Sequence, residues 1–229
     1  MQPIKGVIFD LYGTLYDVHS VAGICDGYFP GRGREISMLW RQKQLEYPWL
    51  RSLMGQYISF EQATADALVF VSENMKLNLQ ADQRDILCDE YLKLKPYPEV
   101  PAALAALRAQ GLPLAILSNG SVNSIDHVVA NSGLGHLFDH LISVDEVKVF
   151  KPHARAYELG EKTLGLRRAE ILFVSSNAWD ASGAHHFGYP VCWVNRAGNT
   201  FDQLGQVPDQ IVQSLAALPD WITSRSRTS

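Results

Sequence analysis

Four short polar sets in this chain each follow a brief apolar run. Asp10 ends the run that starts at Ile4 and leads into Leu11-Tyr12-Gly13-Thr14. Ser118-Asn119-Gly120 follows Leu114–Leu117, and Lys151-Pro152 comes after Leu141–Val144. Ser175-Ser176-Asn177, and then Asp180, follow Ile171–Val174. In an open parallel sheet, ligands bind beyond the carboxyl ends of the strands. If the runs are neighbouring strands, the four sets therefore share one site. They supply a candidate nucleophile at Asp10, a hydroxyl at Ser118, a lysine at Lys151 and a second acid at Asp180. Each also has a plainer reading. Asp10 can cap a turn, Ser118-Asn119 can be an ordinary turn, Lys151 can be a surface lysine, and Asp180 can cap the helix through Ala184. Four such sets at successive strand ends outweigh those separate readings.

The elements that must position them follow from the spacing of apolar residues. The runs from Ile4 to Asp10, Leu114–Leu117, Leu141–Val144, Ile171–Val174 and Val191–Val194 read as buried strands. Helices are expected between them. Val100–Gln110 ends at Gly111, Ser121–Ser132 at Gly133 and His153–Leu164 at Gly165, each glycine a usual helix stop. This alternation predicts an α/β fold: a Rossmann-like parallel sheet with helices on both faces. Between about Asp17 and Pro98 the rhythm breaks. Ile36–Tyr47, Phe60–Met75 and Asp82–Leu92 read as helices with no strand between them. The expected organisation is a core of residues 1–16 and 98–229 with a small helical domain, 17–97, inserted after strand one. The polar tail Arg225–Ser229 is expected to be frayed.

Composition narrows the function classes. The 229 residues are 47% apolar and 19% charged, an ordinary globular balance. Twenty basic against 24 acidic residues give a net charge of −4, which argues against nucleic acid as a partner. Val7-Ile8-Phe9 is too short for an export signal, and no apolar run is long enough to span a bilayer. A cytoplasmic protein without membrane partners is expected. Three dispersed cysteines, Cys25, Cys88 and Cys192, form no C-x-x-C pair and read as free thiols. His185-His186 point in different directions on a helix and have no third ligand at suitable spacing, so no metal is expected. Gly31-Arg32-Gly33-Arg34 reads as a loop entering the Ile36 helix. No nucleotide-binding or nucleophile-elbow motif is present, and no cofactor is expected.

Asp10-Leu11-Tyr12-Gly13-Thr14-Leu15, Ser118-Asn119-Gly120, Lys151-Pro152 and Asp180 resemble, in order, the four motifs of the haloacid dehalogenase superfamily. The helical insertion sits where that superfamily carries a cap. Phe9–Leu15, Leu39-Trp40-Arg41-Gln42-Lys43-Gln44 and Val174–Asp180 resemble its (S)-2-haloacid dehalogenases, over nearly the full chain. A phosphatase of the superfamily needs a second acid two residues after the nucleophile, where this chain has Tyr12. Its fourth motif usually carries an acid where this chain has Ser176. Phosphoryl transfer is therefore disfavoured and displacement at carbon favoured. A phosphatase with an unseen metal site and a scaffold that kept only the fold remain the alternatives.

The resemblance implies a cofactor-free hydrolase acting on a small 2-haloacid with water and releasing halide. Asp10 attacks C2 to form an aspartyl ester, and water then attacks the ester carbonyl, so C2 inverts once. The resemblance gives Lys151 the task of keeping Asp10 ionised and Arg41 that of taking the halide charge. Ser118, with backbone amides near Leu11 and Tyr12, would bind the substrate carboxylate beside Asn119. Asp180 would activate water, held by Asn177 and Ser175, while Thr14 and Tyr157 would position Asp10 and Lys151. Tyr12, Gln42, Leu45, Phe60 and Trp179 are the further substrate-binding candidates. The family also implies a homodimer.

Overall fold

Alternate residues along a strand point to opposite faces of a sheet, and both faces of this sheet are apolar. Val7, Phe9, Leu114, Ile116, Leu172 and Val174 enter one hydrophobic cluster; Ile8, Ala115, Leu117, Ile171 and Phe173 enter another. That is why these strands read as continuous apolar runs. In the computed structural model, which describes residues 2–226, the strands are β1 (Gly6–Phe9), β2 (Leu114–Ser118), β3 (His140–Ser143), β4 (Ile171–Ser175), β5 (Val191–Val194) and β6 (Gln210–Val212). They form one sheet in the order β3-β2-β1-β4-β5-β6, with every neighbouring pair parallel. The α/β class is as the sequence implied. The first strand is shorter than the apolar run, and Val144 opens a 3-10 turn instead of ending β3. β6 had no such run: it is a three-residue edge strand whose Ile211 is exposed.

The helices are α1 (Ala22–Tyr28), α2 (Gly33–Leu53), α3 (Phe60–Asn74), α4 (Ala81–Glu90), α5 (Val100–Ala109), α6 (Val122–Ser132), α7 (Ala154–Leu164), α8 (Ala178–Phe187) and α9 (Leu218–Ser226). Residues of α5, α6 and α9 cover one face of the sheet, and residues of α7 and α8 cover the other. Ser121 caps α6 through the Ser124 N–H, and Gly133 and Gly165 end α6 and α7 in the left-handed conformation. α1 and α9 are too short to show a clear period. The tail expectation meets the structure only at Arg225 and Ser226, which close α9; residues 227–229 lie outside the described residues.

Residues 18–90 carry α1 to α4 and no strand. The two ends of this stretch run side by side: Asp17 N–H donates to Lys95 O at 3.0 Å, and Tyr97 N–H to Leu15 O at 3.0 Å. α2 is longer at both ends than Ile36–Tyr47. At its C-terminal end it continues through Pro48, a residue that usually breaks helices. Pro48 is buried, and Ser52 Oγ in the last turn accepts from Phe150 N–H at 3.1 Å, so tertiary contacts outweigh local preference.

Glycine at position 33 has a steric cause. A Cβ there would lie 2.2 Å from the Ala22 carbonyl oxygen and 2.8 Å from Asp26 N, both backbone atoms of α1. Gly27, on an exposed part of α1, has open space around it. Gly33→Ala should therefore lower stability by about 1–3 kcal/mol. Gly27→Ala should be neutral or raise it by up to about 1 kcal/mol. Urea midpoints of the two variants measure the contrast; equal midpoints would contradict it.

Candidate active site

The sheet order sets the site. β1 lies between β2 and β4, so Asp10, Ser118 and Ser175 emerge side by side at the same edge. Asp10 N–H still bonds Val174 O at 2.9 Å, which holds the residue in line with β4. Lys151 arrives from the loop after β3. Its backbone N–H donates to Asn119 Oδ1 at 2.8 Å. Its ammonium donates to Asp10 Oδ1 at 2.8 Å, Asp180 Oδ2 at 2.7 Å and Leu117 O at 3.0 Å. Three protons meet three acceptors. Lys151 and Asp180 are fully buried and Asp10 is 5% exposed. Burial opposes the Lys151 charge, but the two carboxylates outweigh it and raise its pKa. Burial, reinforced by Asp10, pushes Asp180 up to about 6 against the pull of Lys151.

The remaining oxygens of the two acids are also held. Asp10 Oδ2 accepts from Thr14 Oγ1 at 2.9 Å and Asn177 Nδ2 at 2.8 Å. Asp180 Oδ2 accepts a second bond from Ser175 Oγ at 3.2 Å, and Oδ1 accepts from the Tyr157 hydroxyl at 2.7 Å. Two expected contacts take a different form. Asn177 comes off β4 beside β1, so its side-chain amide reaches Asp10 and Tyr12 O, and it holds Asp180 through its carbonyl, which accepts from Asp180 N–H at 3.1 Å, not through the carboxylate. Tyr157 lies on α7 against α8, so it holds Asp180 and makes no bond to Lys151 or Asp10. Burial and Asp180 raise the Tyr157 pKa well above 10.0, which keeps its proton available for donation.

Arg41, midway along α2, is 8% exposed. It donates to Gln44 Oε1 at 2.8 Å and to Tyr12 O at 3.4 Å, and it enters no ion pair with the described residues. With Leu45 and Asn177 it lines a cavity of about 270 Å³. Tyr12 and Phe60 stack at 4.8 Å and line a smaller cavity of about 90 Å³. Trp179 lines a separate apolar groove of about 430 Å³ with Trp49 and Phe150. Ser118 Oγ is buried and accepts from Gly120 N–H at 3.0 Å. The Leu11 side chain is core. Gln42 is exposed on α2, away from Arg41, because one helical step of about 100° separates them. Among the described residues, no group of three His, Cys, Asp or Glu is placed to hold a metal ion.

Two organising residues escaped the sequence reading. Gln44 is fully buried beside Arg41. Arg196, just past β5, donates to Glu99 at 2.8 Å, to Ser176 Oγ at 2.9 Å and to Thr14 O at 2.9 Å, and its guanidinium lies over Tyr97. It ties the loops after β1 and β4 together. Its position after a fifth apolar run was the available signal.

A family model described as haloacid dehalogenase-like hydrolase matches residues 4–188. The chain is 63% identical over 226 residues to (S)-2-haloacid dehalogenase 2 of Pseudomonas sp. (strain CBS-3), covering 99% of each chain. It is 58% identical to haloacetate dehalogenase H-2 of Moraxella sp. (strain B), covering 95% of this chain and 97% of the relative. Among solved structures, it resembles the L-2-haloacid dehalogenase from Xanthobacter autotrophicus with chloropropionic acid covalently bound. That match has a TM-score of 0.89 and 40% identity, and covers 96% of this chain and 98% of the other.

Removing the buried ammonium isolates its effect. Lys151→Met leaves Asp10 and Asp180 facing each other without a counter-ion, at a cost of about 3–5 kcal/mol at pH 7. As pH falls towards 5, one carboxylate takes up a proton and the deficit relative to wild type shrinks. Urea unfolding of both proteins at the two pH values measures this. A deficit that is absent at pH 7, or that grows on acidification, would contradict the charge arrangement.

Proposed function

The chain belongs to the haloacid dehalogenase-like hydrolases, and from that premise we propose that it removes halide from short (S)-2-haloalkanoic acids to give (R)-2-hydroxyalkanoic acids. The observation that carries the reading is a clamped carboxylate, Asp10, whose charge acts on a buried guanidinium, Arg41, that is ion-paired with none of the described residues. Asp10 Oδ2 has both lone-pair directions occupied, whereas among the described residues Oδ1 accepts only from Lys151. Oδ1 is thus the attacking oxygen. It bonds to C2 as the carbon–halogen bond breaks, and the electron pair leaves with the halide towards Arg41.

The ester so formed is opened by water at the Asp10 carbonyl carbon. Asp180 accepts the water proton as the water oxygen bonds to the Asp10 carbonyl carbon. The bond from that carbon to Oδ1 then breaks, and Asp180 returns the proton to Oδ1, which departs as the product hydroxyl. The water oxygen stays on the regenerated Asp10 carboxylate, and C2 has inverted once. Burial that pushes Asp180 up to about 6 suits it to this proton transfer. Ser175 and Tyr157 hold Asp180; Thr14 and Asn177 hold Asp10. The Ser118 hydroxyl accepts from Gly120 and keeps its own proton for the substrate carboxylate, beside the amides of Leu11 and Tyr12. Leu45 beside Arg41, and Tyr12 stacked on Phe60, supply apolar surface for the substrate, with Asn119 fixing the Lys151 backbone, whereas Trp179 faces the separate groove.

In this reading residues 1–16 and 98–229 are the catalytic core, and 17–97 a cap that brings Arg41 over Asp10. The enzyme works in the cytoplasm without a cofactor. It pairs as a homodimer, for which the exposed Met38, Leu50, Leu53 and Met54 of the α2 region offer an apolar surface. The test is halide release from separate (S)- and (R)-2-chloropropionate in the presence of chelator. Release from the (S) form alone, with (R)-lactate as product, is expected. Release from neither, with phosphate freed from an aryl phosphate once Mg²⁺ is added, would overturn the reading in favour of a phosphatase.

A further inference from the structure

The three buried or half-buried cations around Asp10 are held differently. Lys151 pairs with Asp10 and Asp180, and Arg196 pairs with Glu99. Arg41 is instead anchored by a neutral amide, that of Gln44. The amide orientation is fixed by a buried chain of donors and acceptors. Thr64 has one hydroxyl proton, which goes to Phe60 O at 2.8 Å. It must therefore accept from Gln44 Nε2, at 2.7 Å, and this turns Gln44 Oε1 towards Arg41. Trp40 Nε1 pins Thr64 from the other side, bonding its carbonyl at 2.8 Å. Gln44 is fully buried and Thr64 is 2% exposed, so water does not replace these bonds.

We propose that Gln44 is a positioning residue of the halide-release step, holding the Arg41 guanidinium in place without pairing its charge to a carboxylate. This rests on the dehalogenase reading of Arg41. A glutamate at 44 would hold the guanidinium equally well in shape. It would also place a negative charge at hydrogen-bond distance and cancel much of the field felt by the departing anion. Thr64 takes part indirectly: it is the acceptor that keeps the Gln44 oxygen, and not its NH₂ group, against Arg41.

The experiment measures single-turnover halide release from (S)-2-chloropropionate and (S)-2-iodopropionate. Gln44→Glu is expected to slow chloride release by about 10²-fold. Iodide release should slow much less, because iodide is the better leaving group and needs less help. Thr64→Val should show the same preference at about tenfold, and Thr64→Ser should restore wild-type rates, because it keeps the hydroxyl. Circular dichroism and urea midpoints establish that each variant is folded. If Gln44→Glu releases both halides at the wild-type rate, or slows both by the same factor, the inference is overturned. If Gln44→Glu does not fold, the Thr64 pair decides: equal rates for Thr64→Val and Thr64→Ser overturn it. A wild-type protein that releases neither halide would instead defeat the dehalogenase reading itself.

Discussion

The buried ammonium of Lys151 is the interaction around which the rest of the site is arranged. A charge with no access to water is costly unless every proton finds an acceptor. Here the acceptors are Asp10, Asp180 and Leu117 O. These groups come from the ends of β1 and β2 and from the start of α8 after β4, while Lys151 itself follows β3. Only a sheet in which β1 sits between β2 and β4 brings all of them within 3.0 Å of one nitrogen. The strand order and the charge centre therefore constrain each other. A slip of register at β1 would turn Asp10 to the other face of the sheet and leave Lys151 without a counter-ion.

Around that centre the charges are divided between satisfied and unsatisfied groups. Both acids are ordered by at least three donors, and Arg196 has Glu99. Such groups change little when a substrate arrives, which keeps the nucleophile preorganised. Arg41 is different, since its contacts are an amide oxygen and a distant carbonyl. In the proposed mechanism a monoanionic substrate and a departing halide supply what it lacks. The same electrostatics disfavour a phosphoryl dianion beside Asp10. Tyr12 and Ser176 stand where a metal-dependent relative of this superfamily would need acids, and Ser176 is bonded by Arg196.

Much of this was legible in the residues. Five apolar runs became five strands; β1, β2, β4 and β5 are buried on both faces and so apolar nearly throughout, while β3, at the sheet edge, starts with exposed His140 and Leu141. The four polar sets met because parallel strands end at one edge. What stayed hidden depended on features that sequence spacing does not encode. β6 is held by backbone bonds to β5 at the sheet edge and needs no apolar run. α2 passes through Pro48 because burial and Ser52 outweigh the local penalty. The partners of Asn177 and Tyr157 depended on which face of α8 each neighbour meets. Gln42 and Gln44 lie two residues apart, and the helix turn alone sends one to water and the other to Arg41.

The central claim is that Asp10, and not water, attacks the substrate carbon. The most direct test is one turnover of (S)-2-chloropropionate by excess enzyme in H₂¹⁸O, with mass spectrometry of product and protein. Attack by Asp10 predicts lactate without label and one ¹⁸O in the peptide that carries Asp10. Labelled lactate with an unlabelled Asp10 peptide would mean that water attacks C2 directly, and would contradict the account.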